Sequence, residues 1–491
     1  MPHPCRSAPD ALTLSIDQGG HASRALVFDG RGNTVAAAHR EARLRIHADG
    51  RMEYDAQELL DSVSAAIDAA LADLGGARRR LCAAGLATQR SNVVCWDRET
   101  GAALSPVISW QDRRAARTVE RLRDRAAMTH RITGLLLSAH YGAGKLHWCL
   151  EHLPAVAAAL GEGRLAWGPM ASFLLFHLAR ERPLYADPVN AARTLLWDFA
   201  RADWSEAMLE LFELPRAPLP EPAPNRHAFG TLDRGDAAIP LLIVTGDQNA
   251  ALHADGPPSA DSLYITLGTG AFVLRPTGGE RPNSHRLLHG VVFADRDATT
   301  YALEGTVNGA GSALEWLAAQ HPAAGIIAGL HRWLDADGDT PPLFLNGVSG
   351  LGTPFMQPHF ESRFIGAGGP AAQAVAVAES IAFLLQMNIE EIGRLRPPAA
   401  RIEIGGGLSR YDGLCRRIAA LSGLPVRRGG RVETTACGLA YLLHAATRDH
   451  GDASAWGDSA PAAYTFPPHD DAALYERYLR WRTALREALK A

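Results

Sequence analysis

Two aspartates stand beside glycine and glutamine where apolar runs end: Asp17 in Asp17-Gln18-Gly19 and Asp247 in Gly246-Asp247-Gln248. A carboxylate so placed can hold Mg²⁺ through water or take a proton from a hydroxyl. A single one also serves as a cap at a strand end or helix start. Three glycine turns follow apolar runs as well: Gly19-Gly20, Gly268-Thr269-Gly270 and Gly405-Gly406-Gly407. With no Cβ in the way, phosphate oxygens can approach the backbone N–H groups of such turns. Each turn alone is more often a tight bend. Their coincidence with two isolated acids is what points to phosphoryl chemistry.

These residues need elements to position them. Residues 12–16 alternate as a strand, the turn around Gly19 leads to a second strand over 25–28, and a third follows over 34–38, an antiparallel meander. Apolar residues from Leu59 to Leu74 recur at three- and four-residue steps before Gly75-Gly76, which predicts an amphipathic helix over 56–74. Residues 81–87 read as a buried strand, and Arg78-Arg79-Arg80 as a solvated loop. Prolines at 215, 218, 220, 222 and 224 predict an irregular surface connection, because proline lacks the amide donor. A buried strand over 241–244 delivers Asp247, and the junction between two halves falls just beyond it. The second half repeats the opening, with strand 263–267, a glycine turn and strand 271–274, which suggests a duplicated fold. Strand 401–404, the turn at 405–407 and a helix over 411–421 form a unit suited to nucleotides. Thr434 reads as the cap of a structural helix with no catalytic part, and 473–489 as a surface helix.

The 491 residues suffice for two or three domains, and 47% hydrophobic with 21% charged residues excludes global disorder. Lys and Arg number 49 against 53 Asp and Glu, a formal charge of −4, which argues against nucleic acid as a partner. The N-terminus lacks a secretory pattern, and no uninterrupted apolar run reaches the roughly 18 residues of a membrane span, so no membrane partner is expected. Cys5, Cys82, Cys95, Cys149, Cys415 and Cys437 have no metal-ligand spacing and read as buried hydrophobes, consistent with a cytoplasmic location.

Eight stretches in order carry a resemblance: Asp17-Gln18-Gly19 through Arg24, Thr88-Gln89-Arg90, Ile108-Ser109-Trp110-Gln111 with Arg113-Arg114, Gly246-Asp247-Gln248, Leu267-Gly268-Thr269-Gly270-Ala271-Phe272, Glu304-Gly305 through Gly311, Gly350-Leu351-Gly352-Thr353-Pro354, and Gly405-Gly406-Gly407. Over nearly the whole chain the sequence resembles the FGGY carbohydrate kinases, with the glycerol kinases nearest. The resemblance implies an α/β protein of two actin-like (ribonuclease H-like) lobes, residues 1–250 and 251–491, with mixed sheets, flanking helices and an active site in the cleft between them. It further implies ATP and Mg²⁺ as cofactors, a small sugar or polyol as acceptor, and a homodimer. Asp247 matches the general base, and Asp17, together with Asp247, the acids that organise Mg²⁺. Gly19, Gly20, His21, Ser23 and Arg24 match the first phosphate hairpin, Gly268, Thr269 and Gly270 the second. Gly311, Gly406 and Gly407 match turns beside the nucleotide. Arg90, Ser91, Trp110, His140, Asp247, Gln248 and Phe272 form the acceptor-pocket set.

The match departs at informative places. The glycerol kinases have a glutamate after the arginine equivalent to Arg90, where this chain has Ser91, and His140 stands where they place a tyrosine. The hydroxyl-rich hairpin expected after Gly19 reads Gly20-His21-Ala22, leaving Ser23 as its hydroxyl, and Tyr411-Asp412 replaces asparagines of the nucleotide helix. The first expectation is therefore phosphorylation of a terminal hydroxyl of a small polyol or ketose. Glycerol kinase proper is the alternative, with His140 and Ser91 acting through water. A nucleotide-binding sensor without phosphoryl transfer is a third reading.

Overall fold

The computed structural model describes residues 11–235, 237–336, 340–447, 456 and 462–490. The chain forms two compact units. The first comprises Met1–Pro258 with Gly290–Thr300 and Arg431–Ala460, the second Ser259–His289, Tyr301–Gly430 and Pro461–Ala491. A linear division after residue 250 thus assigns to the second lobe three segments, 251–258, 290–300 and 431–460, that belong with the first.

The first unit is built on a six-stranded mixed sheet in the order Arg226–Arg234, Ala237–Gly246, Leu81–Thr88, Leu12–Gln18, Ala22–Phe28, Thr34–Glu41. Leu12–Gln18 runs parallel to Leu81–Thr88, which runs parallel to Ala237–Gly246, while the meander pairs are antiparallel. Leu12–Gln18 and Leu81–Thr88 are buried along their length. Alternation sends Ala84 and Leu86 to one face, with Leu59, Val63 and Ile67 of the helix Ala56–Leu74, and Ala83 and Ala87 to the other, with Leu439, Leu442 and Leu443. The helix over 56–74 forms with the bounds its sequence predicts, and Asp55 caps it, accepting hydrogen bonds from the Gln57 and Glu58 amides at 3.0 and 3.1 Å. Arg78-Arg79-Arg80 belongs to a short 3₁₀ segment, Gly75–Arg80, instead of an open loop.

The proline-rich segment is less superficial than its composition suggests. Pro218, Leu219 and Pro220 are buried, and proline keeps its carbonyl: Pro218 accepts from the Trp167 amide at 3.1 Å and Pro220 from the Trp204 indole at 2.7 Å. Glu221–Pro222 even pairs with Tyr185–Ala186 as a short parallel bridge.

The second unit repeats the arrangement on a sheet whose strands run in the order Thr299–Val307, Ala271–Gly278, Ser262–Leu267, Arg401–Gly405, Val426–Arg428, Tyr464–Phe466. A strand, its antiparallel hairpin partner and a parallel neighbour recur, Ser262–Leu267 taking the place that Leu12–Gln18 has in the first unit. Its core holds the helix Pro370–Gly393, among the described residues the one helix long and apolar enough to cross a membrane. Here that helix is 83% buried over its apolar window, and its Glu379 pairs with Arg477 at 3.0 Å. Arg477 lies on the helix Ala472–Ala488, which packs back through buried Tyr478, Trp481 and Leu485. Cys82, Cys95, Cys149, Cys415 and Cys437 are buried free thiols, and Cys5 lies outside the described residues.

The helix Thr434–Thr447 completes the first unit by lying against Asp247–Ala251, the short helix that opens with Asp247. Contact is backbone to backbone at Gly438, where a Cβ would run into the Ala250 carbonyl. Gly438→Ala is expected to cost at least about 1–3 kcal/mol, the range for overpacking, read as a lower urea midpoint. Nearby, buried His253 lies against Phe293 and Tyr441, with Nδ1 3.1 Å from the Asn249 carbonyl. Burial pushes its pKa down to about 4 from 6.5. The unfolded chain therefore binds more protons between those values, so this group's contribution is complete above pH 6.5 and is lost as pH falls toward 4. His253→Gln should flatten the dependence of the melting temperature on pH across that window.

Candidate active site

In the first unit the hairpin register sets Asp17 opposite Arg24. Their side chains form an ion pair at 3.5 Å, and Arg24 also reaches Glu433 at 3.4 Å. Asp17 is only 4% exposed, and its Oδ1 is buried without a hydrogen-bond partner. Burial, then the charge of Asp247, push its pKa up to about 7, with Arg24 opposing and Glu433 adding to the rise. Asp247 ends the strand Ala237–Gly246 and is recessed but partly exposed. Burial raises its pKa, while Arg90 and the Gln248 amide, which donates to Oδ1 at 2.7 Å, pull the other way.

Arg90 is the brace of this corner. Its guanidinium donates to Asn249 Oδ1 at 3.1 Å and to Gln248 Oε1. Gly246 makes room for it, since a Cβ there would lie 2.7 Å from Arg90 Cδ. Asn249 is tied in turn to the carbonyls of Val291 and Val292 at 2.7 and 3.0 Å. Ser91 follows, buried, in a left-handed conformation with φ of 65°. Trp110 packs on His140 with ring centroids 5.3 Å apart, and His140 meets Tyr141 edge to face at 4.9 Å.

The glycine hairpin is held by its carbonyls. Gly19 accepts from Gln18 Nε2 at 2.8 Å and Gln89 Nε2 at 3.2 Å, and Gly20 accepts from the Tyr54 hydroxyl at 3.0 Å. A Cβ on Gly19 would meet Arg24 Nη1 at 3.0 Å. His21 is exposed at the tip. Ser23 departs from its expected role: its hydroxyl is fully buried and shares a hydrogen bond with Ser62 at 2.8 Å, so it anchors the hairpin to the helix Ala56–Leu74.

In the second unit the glycine turns converge on the end of Ser262–Leu267. The Gly268 carbonyl accepts from the Gly311 amide at 2.9 Å, and the Thr269 carbonyl from the amides of Ala310 and Ser312 at 3.1 and 3.0 Å. Gly406, at φ 90°, sits so close to Leu267 that a Cβ would lie 2.8 Å from its carbonyl carbon. Gly407 opens the short 3₁₀ segment Gly407–Arg410. Phe272, partly exposed, lies on the strand Ala271–Gly278, paired with Thr266 and Thr306. Tyr411 is a core residue whose hydroxyl donates to the Ile327 carbonyl at 3.2 Å.

Residues 12–253 match the N-terminal domain of the FGGY family of carbohydrate kinases, and residues 263–447 match its C-terminal domain. The chain belongs to the FGGY family of carbohydrate kinases. It is 33% identical to a glycerol kinase of Allorhizobium ampelinum, over 98% of this chain and 99% of that one. It is 35% identical to a glycerol kinase of Alcanivorax borkumensis, over 87% and 88%. Among solved structures, the fold is shared with a Plasmodium falciparum glycerol kinase with ADP (TM-score 0.87, 23% identity, 98% of each chain). It is shared too with a xylulose kinase from Brucella ovis (TM-score 0.84, 24% identity, 97% of this chain and 99% of that one). As an FGGY kinase this protein is a phosphotransferase with an alcohol group as acceptor, and the family implies use of ATP.

Five neighbours of the site escape a sequence reading. Glu433 and Thr435, read as a plain helix start, come back to Asp17 and Asp247: Glu433 through Arg24, and Thr435 by donating to the Asp247 carbonyl at 3.4 Å. Gln89, Tyr54 and Asn249 hold the hairpin and Arg90. Of these, Gln89 alone stands in a stretch the sequence singles out, Thr88-Gln89-Arg90.

For Mg²⁺, the orphaned, buried Oδ1 of Asp17 in a field shared with Asp247 and Glu433 fits a hydrated divalent cation that takes its other ligands from phosphates. Among the described residues no group of three or more His, Cys, Asp or Glu side chains is spaced to hold a metal alone. Because Arg90 holds the Asp247 pKa down, Arg90→Met should move the acidic limb of the kcat/KM profile to higher pH, by about one unit or more for loss of a close charge. A profile whose acidic limb stays in place would separate Arg90 from Asp247.

Proposed function

We propose that this kinase transfers the γ-phosphoryl group of ATP to a terminal hydroxyl of a small polyol or ketose, with Asp247 as general base. The observation that carries this reading is the recessed Asp247 carboxylate, braced through Gln248 and Asn249 by Arg90, with burial raising its basicity. An alcohol is a poor nucleophile near neutral pH, so a carboxylate must accept its proton as the bond to phosphorus forms. Arg90 and Gln248 would bind acceptor hydroxyls, while Trp110, His140 and Phe272 would pack on its carbon faces, with Ser91 beside them. Arg24, the amides of Gly20 and His21, and those of Thr269 and Gly270 would bind phosphate oxygens, while the Gly19 and Gly268 amides close the turns by donating to the Ala22 and Gly270 carbonyls at 3.0 and 2.9 Å, with Gly311, Gly406 and Gly407 beside the nucleotide. Asp17 would hold Mg²⁺, with Asp247 contributing to its field; when bound, the ion neutralises charge on the phosphates.

Glycerol is the second reading for the acceptor, favoured by relatives of 33–35% identity that are glycerol kinases. A homodimer and a cytoplasmic location complete the proposal, the latter in keeping with the free thiols.

Purified protein given ATP, Mg²⁺ and a panel of polyols and ketoses, glycerol among them, should phosphorylate at least one. Asp247→Asn should lower kcat about 10²–10⁴-fold with unchanged circular dichroism. Full turnover by that variant would remove Asp247 from the mechanism.

A further inference from the structure

The acceptor side of the first unit gathers positive charge around His140. The helix Gly142–His152 begins just after it, and two turns press on that helix where it has no side chains. The Arg193–Thr194 turn is joined to it by the Ala143 amide and Thr194 carbonyl at 2.7 Å, with Thr194 Cα 3.6 Å from where a Cβ of Gly142 would be. A Cβ on Gly144 would stand 2.8 Å from Ala115 Cβ, so the turn carrying Arg113 packs there. Lys145, fully buried, donates to the carbonyls of His140 and Ser109 at 2.7 Å each. These neutral acceptors use two of its three N–H donors. Asp112, the acid beside Arg113, is committed to Arg114 at 2.8 and 2.9 Å and to the Met52 amide at 2.7 Å.

Burial, followed by Lys145, Arg113, Arg193 and Arg90, drives the His140 pKa well below its usual value. The imidazole thus stays neutral at neutral pH, and burial, with Arg113 and Arg114, pushes the Lys145 pKa down as well, so Arg113, Arg193 and Arg90 are the fixed cations around it. Arg90 acts on both His140 and Asp247, so it lies within electrostatic reach of the cationic cluster and of the base. The N-terminus of the Gly142–His152 helix, which no side chain caps, adds the positive end of a dipole. Beside Arg90, buried Ser91 contributes no negative charge.

We infer that the acceptor of this kinase carries an anionic group, a carboxylate or a phosphate, at the end remote from the hydroxyl that faces Asp247. This rests on the reading of Asp247 as base and narrows the acceptor to an acidic polyol. The hydroxyl oxygen bonds to the γ-phosphorus, its proton passes to Asp247, and the bond from that phosphorus to the bridging oxygen breaks, its electron pair leaving with ADP. The anionic end stays unreacted against Lys145, Arg113 and the His140 edge, where hydrogen bonds to a charged group are stronger than those to a hydroxyl.

The test compares matched acceptors differing in one terminal group: glycerol, glycerate and glycerol monophosphate, then xylitol and xylonate. The wild-type protein should show kcat/KM for an acid at least about tenfold above its neutral counterpart, the equivalent of one charged hydrogen bond. The acid should also raise the melting temperature more in the absence of nucleotide. The carboxylate and phosphate arms identify which anion is read. Ser91→Glu should shift the acid-to-neutral ratio toward the neutral partner by about tenfold or more, and Arg113→Gln should shift it the same way. Neutral polyols preferred in both turnover and melting assays, with a ratio unmoved by either substitution, would overturn the inference and leave the kinase reading standing. Anion-dependent stabilisation with no acceptor phosphorylated would do the reverse.

Discussion

The place of Asp247 depends on two backbones touching. Gly438 lets the helix Thr434–Thr447 meet the first turn after the strand Ala237–Gly246, with the Ala250 carbonyl occupying the space of a side chain. Leu439, Leu442 and Leu443 then seal the face of the sheet that Ala83 and Ala87 present. The same approach brings Glu433 and Thr435 to the acid pair, so packing and electrostatics are set by one contact. A side chain at residue 438 would have to push the helix outward, taking both polar contacts with it.

Around that contact the site follows a logic of recessed acids and braced cations. Asp17 and Asp247 raise each other's cost of ionisation, and burial adds to it, which a bare pair would relieve by binding a proton. Arg24 and Arg90 each sit against one acid and hold that tendency in check. Neither arginine is spent on a single partner: Arg24 also meets Glu433, and Arg90 holds Gln248 and Asn249. The acids are therefore kept in place by groups that also shape the surfaces beside them.

Local pattern carried much of this into the sequence. The meander, the helix Ala56–Leu74 and the repeated hairpin were legible because each rests on neighbours within a few residues, namely alternation, a 3.6-residue period and glycine turns. Asp17, Asp247 and the glycines of both turns stood out for the same reason. Ser23 misled because a hydroxyl in a hairpin looks the same whether it faces a ligand or Ser62, and the choice belongs to a helix nearly 40 residues on. Glu433 and Thr435 were illegible because their partners lie at residues 24 and 247, and only the return of the chain to the first sheet joins them. The proline segment misled because the missing amide is obvious in a sequence and the carbonyls that remain are not.

That return also bears on how the protein is made. A ribosome delivering about 5–20 residues per second finishes the sheet of the first unit at Gly246, yet the helix that covers one face of it ends only at Thr447. For about 10–40 s of synthesis at that pace, Ala83, Ala87, Leu242 and Ile243 await their covering helix. The nascent chain thus offers an oily sheet surface to chaperones, and the N-terminal lobe becomes complete only when most of the C-terminal sequence has already emerged.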